Sequence, residues 1–484
     1  MSLNAKNTET LPINHRDLSF IALFSLIFGS MMGSGVFDVP QNVASSAGVV
    51  AIVIGWVITT IGVFALSWSF SYITNKRPDI QSGVYGYAKY GFGNYVGFNS
   101  AWGYGLNCLI ANASYLIYIC ATLGNFAIFK FLGTGTTLSS VILESIIIWG
   151  VFFVIKRGIH EAAIINVIIT VAKIFILIAL IIIFAIAFNW AKFKTNLQFE
   201  PKLGSIFDQV KSTMLVSVWN FTGIEAACIF ALRAKRQKDI IRATMLGAFA
   251  VCVLCSLISI LPFGILTGPE IRALATPSSA GILVHVYGLC SANIIRVAVI
   301  VSVAGALLAW TMLTGNMFYL AATDETMPKI FTKVNNKDAP INALFISSLG
   351  AEAFILLAYF TNEIYLGMIQ LATSLILLPY LLSTIFALKL VIFDKKIDVL
   401  SFLKGILAVL YGIWLVYSGG IKFLVLSSVL YLIGSIFYFI ARIEHKKKFF
   451  ENKWEILLFL LFLSITIIAV IKWPHALLNP NSMN

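Results

Sequence analysis

Gly29-Ser30-Met31-Met32-Gly33-Ser34-Gly35-Val36-Phe37 sits in the middle of an apolar run that extends from about residue 18 to residue 43. A run of that length is enough to cross a bilayer as a helix. Three glycines and two serines at its centre are what an uninterrupted helix does not need, because glycine weakens helix interiors. The rest of the chain is of the same kind. It has 484 residues, 59% of them hydrophobic and only 11% charged. A soluble chain carries about 25% charged residues, and one core cannot hide so many apolar side chains. The composition excludes a soluble enzyme, a disordered protein and a nucleic-acid-binding module. It predicts a polytopic membrane protein.

Only helices or closed barrels satisfy their backbone in lipid, and runs this long are helices. The fold class expected is therefore all-α. Apolar runs fall at about 18–43, 48–73, 96–128, 138–156, 162–188, 208–232, 241–267, 292–322, 342–361, 364–392, 402–419, 422–442 and 455–473. These thirteen runs predict thirteen transmembrane helices, with short amphipathic pieces ahead of the third and the eighth. With a cytoplasmic N-terminus, most of the 34 basic residues fall on the inside, loop after loop. Arg77, Lys156, Arg233, Lys235, Arg236, Lys333 and Lys446–Lys448 are examples. Thirteen spans then leave the C-terminus outside. The polar segment 1–17 lacks a secretory cleavage pattern, so the first helix is expected to be retained.

The sixth span carries a second flaw, Asn220-Phe221-Thr222-Gly223-Ile224-Glu225. A break exposes N–H groups at the start of one half-helix and C=O groups at the end of the other. The first set suits a carboxylate and the second an ammonium group or a cation. An α-amino acid presents both in one small region. Glycines in membrane helices also serve close packing, and that reading stays open for either span alone. Flaws in spans one and six occupy equivalent places if the first ten spans form two five-helix halves. Discontinuous helices in inverted repeats mark many secondary transporters. The expected organisation is a cytoplasmic segment 1–17, a first repeat 18–188, an external or periplasmic linker 189–207, an inverted second repeat 208–392, three further helices in 393–473 and a tail 474–484.

Glu225 is an acidic group at mid-span, where such residues pair with a partner or face a cavity. It is either a hydrogen-bonded lock on helix packing or a gate linked to protons. Lys173 is either a structural counter-charge or the occupant of a cation site. Glu144 and Glu352 lie nearer span ends, where water can reach them. Trp219 and Trp310 serve packing or stack on a cationic side chain. The six cysteines lie in apolar stretches and read as buried thiols. Cys252 and Cys255 spell C-x-x-C without the βαβ context of a redox motif. His15, His160, His285, His445 and His475 are scattered, without metal-ligand spacing. No metal, no cofactor and no enzymatic constellation is expected.

These residues resemble the amino acid–polyamine–organocation superfamily, and more narrowly its basic amino acid/polyamine antiporters of the arginine/ornithine and arginine/agmatine type. The G-S-G-V-F stretch at Gly33–Phe37 is similar to that family's first-helix signature. Asn75–Asp79, Ser82–Ala88, Gly97–Tyr104, Arg157–Ala163 and Arg233–Arg236 look like further family segments. The resemblance implies a LeuT-like five-plus-five inverted repeat with helices one and six discontinuous. It implies antiport of a cationic amino acid for a related amino acid or amine. Ser34 and Gly35 would take the substrate carboxylate. The carbonyls of Met31, Trp219 and Thr222 would take its amino group. Trp310 would stack on the cationic side chain, with Cys108 and Asn112 near its end, and Tyr104, Glu225 and Tyr380 would form a distal gate. The partners implied are an amino acid, the bilayer of a plasma or inner membrane, and a second copy in a homodimer.

Two departures stand out. The arginine/ornithine branch usually reads W-V-F-I-G-I-E-G, where this chain has Trp219-Asn220-Phe221-Thr222-Gly223-Ile224-Glu225-Ala226. Its third helix usually reads Y-W-L-x-x-W-L-G-N, where this chain has Tyr104-Gly105-Leu106-Asn107-Cys108-Leu109-Ile110-Ala111-Asn112. A reshaped side-chain subsite keeps proton- or sodium-coupled uptake of a neutral amino acid as the alternative.

Overall fold

The structure is a computed structural model that describes residues 16–361, 365–394 and 398–472. The expectations for segments 1–15 and 474–484, and for Lys395 and Lys396, lie outside the described residues.

The described chain is helical, with a single β-bridge between Leu18 and Ala234. In order the helices are α1 (Phe20–Met31), α2 (Gly35–Ala44), α3 (Val49–Lys76), α4 (Gly83–Phe92), α5 (Asn94–Gly124), α6 (Leu138–Lys156), α7 (Ile159–Ile186), α8 (Trp190–Asn196), α9 (Ile206–Trp219) and α10 (Ala226–Ile229). There follow α11 (Gln237–Ile260), α12 (Gly268–Arg272), α13 (Ser278–Tyr287), α14 (Leu289–Thr323), α15 (Ile341–Thr361), α16 (Tyr365–Ile392), α17 (Val399–Ser418), α18 (Gly420–Glu444) and α19 (Lys453–Lys472). Among the described residues, twelve helices are long and apolar enough to cross a membrane, counting Phe20–Ala44 as one. The sixth run expected from the sequence is not among them, because α9 and α10 are separate and neither is long enough. The short pieces ahead of the third and eighth runs are α4 and α13.

Local chemistry sets the ends. Ser19 caps α1 through Ala22 N–H, Thr137 caps α6 through Ser140 N–H, and Ser205 caps α9 through Asp208 N–H. Each side chain satisfies one of the orphan donors of a first turn. The faces are sorted by the surroundings. On α7, Ile164, Ile168, Val171, Phe175, Ile178, Ile182 and Ile186 are exposed, whereas Asn166, Thr170 and Lys173 are buried. The apolar stripe faces outward and the polar one inward, as lipid demands and water would forbid.

At the centre, α5 packs against α14, α15 and α16, and α1 against α7, α11 and α14. The last three helices lean on this core from outside. On α17, Tyr411 fills the space over Gly62 of α3, and on α18, Tyr431 fills that over Gly103 of α5. The five cysteines whose side chains are described are buried and free. Glu144 departs from the expectation of a solvated position. It is fully buried beside Cys120, because α6 turns that face toward α5. Glu352 accepts from Ser145 Oγ at 2.6 Å and Trp149 Nε1 at 2.8 Å.

Candidate functional site

The first helix stops at Met31. Met32 leaves helical geometry (φ −90°, ψ 65°), and the chain resumes as α2 at Gly35. The last carbonyls of a helix need partners, and those of α1 are met from three directions. Phe28 O accepts Met32 N–H at 2.9 Å, Gly29 O accepts Lys173 Nζ at 3.0 Å, and Ser30 O accepts Trp310 Nε1 at 3.0 Å. The carbonyl of Met31 accepts no hydrogen bond among the described residues.

The second break lies against the first. Helix α9 ends at Trp219, and turns carry the chain to α10 at Ala226. Gly223 has φ +104°, which only glycine adopts readily. A Cβ there would stand 2.3 Å from Ser30 Oγ. Ser30 Oγ donates to Leu26 O at 2.7 Å and Ile27 O at 2.9 Å, and reaches Gly223 O at 3.4 Å. Gly35 is the other close approach. A Cβ there would lie 2.6 Å from Trp219 Cδ1 and 2.9 Å from Asn220 Oδ1. The end of α9 thus rests directly on the start of α2.

The expected site residues surround this crossing. Met31, Ser34, Trp219, Thr222 and Trp310 are all at most 3% exposed, so the crossing is closed to both faces. Trp310 is fastened to the first break by its indole N–H, and its ring centroid lies 6.2 Å from that of Tyr104. Asn112 Nδ2 donates to Thr311 Oγ1 at 3.2 Å, and Cys108 sits among Thr314, Tyr104 and Asn107. Glu225 accepts from Tyr380 OH at 2.5 Å, whereas the buried Tyr104 OH has no hydrogen-bond partner among the described residues. The three residues expected to form a gate are all buried here. They lie on α5, α16 and the second break. Among the described residues, no group of histidines, cysteines or carboxylates could hold a metal ion.

This arrangement presents a half-helix N-terminus, bare carbonyls, an indole and a buried carboxylate within one region. Residues 18–462 match the model of a family described as amino acid permease. The chain belongs to that family. An arginine/ornithine antiporter of Pseudomonas aeruginosa is 39% identical, over 88% of this chain and 90% of its own. An arginine/agmatine antiporter of Chlamydia felis is 38% identical, over 90% and 93%. In fold, the permease is similar to a solved Na+-coupled sialic acid symporter, with a TM-score of 0.52 at 13% identity, over 85% of this chain and 90% of that one. That likeness bears on the fold alone.

Three features of the permease site, Lys173 itself apart, were not named from the sequence. Ser30 ties the two breaks together. Tyr115 lies over Gly33 and packs its ring against Trp219 at 5.9 Å. Asn166, Thr170 and Lys173 form a polar row along α7, bonded to Ser25 O and Gly29 O of α1. The spacing of that last row, four and then three residues, was visible in the sequence as a signal for one helical face.

Proposed function

We propose that this permease is an antiporter that exchanges a cationic amino acid for a related amino acid or amine by alternating access. The observation that carries the reading is the contact of two interrupted helices beneath a buried tryptophan. The substrate carboxylate sits at the start of α2, on Ser34 and Gly35, where helix N–H groups favour an anion. Its ammonium group turns to the carbonyls where α1 and α9 end, at Met31 and Thr222, with Trp219 beside them. The side chain extends past Trp310, which offers a cation–π face, toward Cys108 and Asn112. Tyr104, Glu225 and Tyr380 close the distal side. The names of the relatives support arginine, ornithine or agmatine as the exchanged species.

The mechanism follows from the charges. Exchange of arginine for ornithine moves no net charge and needs no ion gradient, whereas exchange of arginine for agmatine is electrogenic. Lys173 Nζ donates to the Gly29 carbonyl, so part of the first break is already occupied by a side chain of the protein. Residues 18–188 and 208–392 act as two inverted five-helix repeats that rock around the crossing. The linker 189–207 lies outside, and the three helices of 393–473 brace one flank. The N-terminus faces the cytoplasm of a cell with this protein in its plasma or inner membrane, and two copies pair as a homodimer.

The test is uptake of labelled arginine into proteoliposomes. Uptake is expected to require internal arginine, ornithine or agmatine and to be competed by external ornithine. Equal uptake into empty vesicles overturns antiport. Failure of arginine, lysine and ornithine to compete overturns the cationic side chain.

A further inference from the structure

Asn220 is the first residue beyond α9, and the function above leaves it unused. Its surroundings follow from the end of α9. The last four carbonyls of that helix are all engaged from within. Asn220 Nδ2 donates to Val216 O at 2.9 Å and Asn220 N–H to Ser217 O at 3.1 Å. Phe221 N–H donates to Val218 O at 2.8 Å. Thr222 Oγ1 donates to Trp219 O at 2.7 Å, joined by Thr222 N–H at 3.3 Å.

Two consequences follow. The Trp219 carbonyl already serves two donors, which weakens it as an acceptor for anything else. The Asn220 amide is also fixed in orientation, because only its NH2 can donate to Val216 O. Its carbonyl oxygen must face the other way, toward Gly35. That oxygen is buried, in a residue 1% exposed, and has no hydrogen-bond partner among the described residues. A buried acceptor left unpaired costs about 1–3 kcal/mol, so such a group in a binding region points to a donor that arrives with the ligand.

An α-ammonium group carries three N–H donors. The crossing offers Met31 O and Thr222 O without a hydrogen-bond donor among the described residues, and Asn220 Oδ1 beside Gly35. We propose that the side-chain oxygen of Asn220 is a third acceptor for the substrate α-ammonium, in place of the preoccupied Trp219 carbonyl. This deepens the proposed function and rests on it for the location of the substrate, but not for the identity of its side chain.

The test compares Asn220→Val with Asn220→Asp in the proteoliposome assay. Valine removes the acceptor and the cap on Val216. Aspartate removes the cap and keeps an acceptor oxygen. The KM for arginine is expected to rise roughly ten- to a hundred-fold in Asn220→Val, the range of a lost bond to a charged group, with kcat little changed. Asn220→Asp is expected to stay within about three-fold of wild type, since the acceptor bond to the charged group is kept. Competition by 5-guanidinopentanoate, which lacks the α-amino group, is expected to be the same in wild type and both variants. An equal rise of KM in both variants assigns Asn220 to the cap alone and overturns the inference. So does a sodium dependence of wild-type uptake that Asn220→Val abolishes, which would make the oxygen a ligand of a metal cation. A wild-type protein that exchanges some other amino acid and not arginine overturns the cationic reading instead. The same pair of variants, assayed with that amino acid, then decides the role of Asn220, because every α-amino acid carries the ammonium group.

Discussion

Glu225 and Lys173 are two ionisable groups buried beside the crossing. Glu225 is held by Tyr380, on a helix distant in sequence. Glu225→Gln preserves an oxygen for Tyr380 and removes the titration. The pH dependence of exchange is expected to flatten in this variant, measured as initial rates between pH 5 and 8; an unchanged profile and rate would remove the link between gate and proton. Lys173 donates to a carbonyl that has lost its helical partner. Lys173→Met removes a hydrogen bond from a charged group, worth about 1.5–3 kcal/mol. A lower melting temperature in detergent is expected, and an unaltered one would show that water replaces the ammonium without cost. Both residues stood out in the sequence as ions among apolar neighbours. Their partners did not, because the pairing is made between helices.

At the scale of elements, the two breaks depend on glycines for different reasons. Gly223 supplies a positive φ, and Gly35 supplies room for Trp219 and Asn220. Gly35→Ala places a methyl group where neither neighbour can retreat without opening the crossing. Exchange is expected to fall below detection while the protein still reaches the membrane. Gly150→Ala on α6 is the control, since a Cβ there meets nothing within 4 Å. It is expected to leave exchange intact and stability equal or up to about 1 kcal/mol higher, from helix propensity. Comparing transport with surface expression for the two variants decides the matter. The sequence marked both glycines as flaws in apolar spans. The division of the sixth run into 14 and 4 residues of helix was not legible, since Phe221 and Ile224 continue the apolar pattern through the turn.

Over the whole molecule, the later helices are secured by polar anchors in an apolar setting. Glu455, at the start of α19, is fully buried and accepts from Tyr95 N–H at 3.0 Å, Glu451 N–H at 2.5 Å and Asn452 N–H at 3.3 Å. One carboxylate so satisfies orphan donors at the first turn of α5 and at the entry to α19, where helix dipoles favour a negative charge. Glu455→Ala leaves those donors bare, at a cost of about 1–3 kcal/mol. A lower melting temperature with retained exchange is expected, and loss of exchange instead would bring α19 into the transport cycle. The amino-acid sequence by itself determined the membrane class and the helical fold, because lipid forces each apolar run to satisfy its own backbone and so makes length and hydrophobicity sufficient signals. Only the tertiary structure decided which carbonyls at the crossing are occupied and which are bare, and that Glu144 is buried. Those outcomes depend on side chains from helices hundreds of residues apart, and no local pattern in the chain encodes their approach.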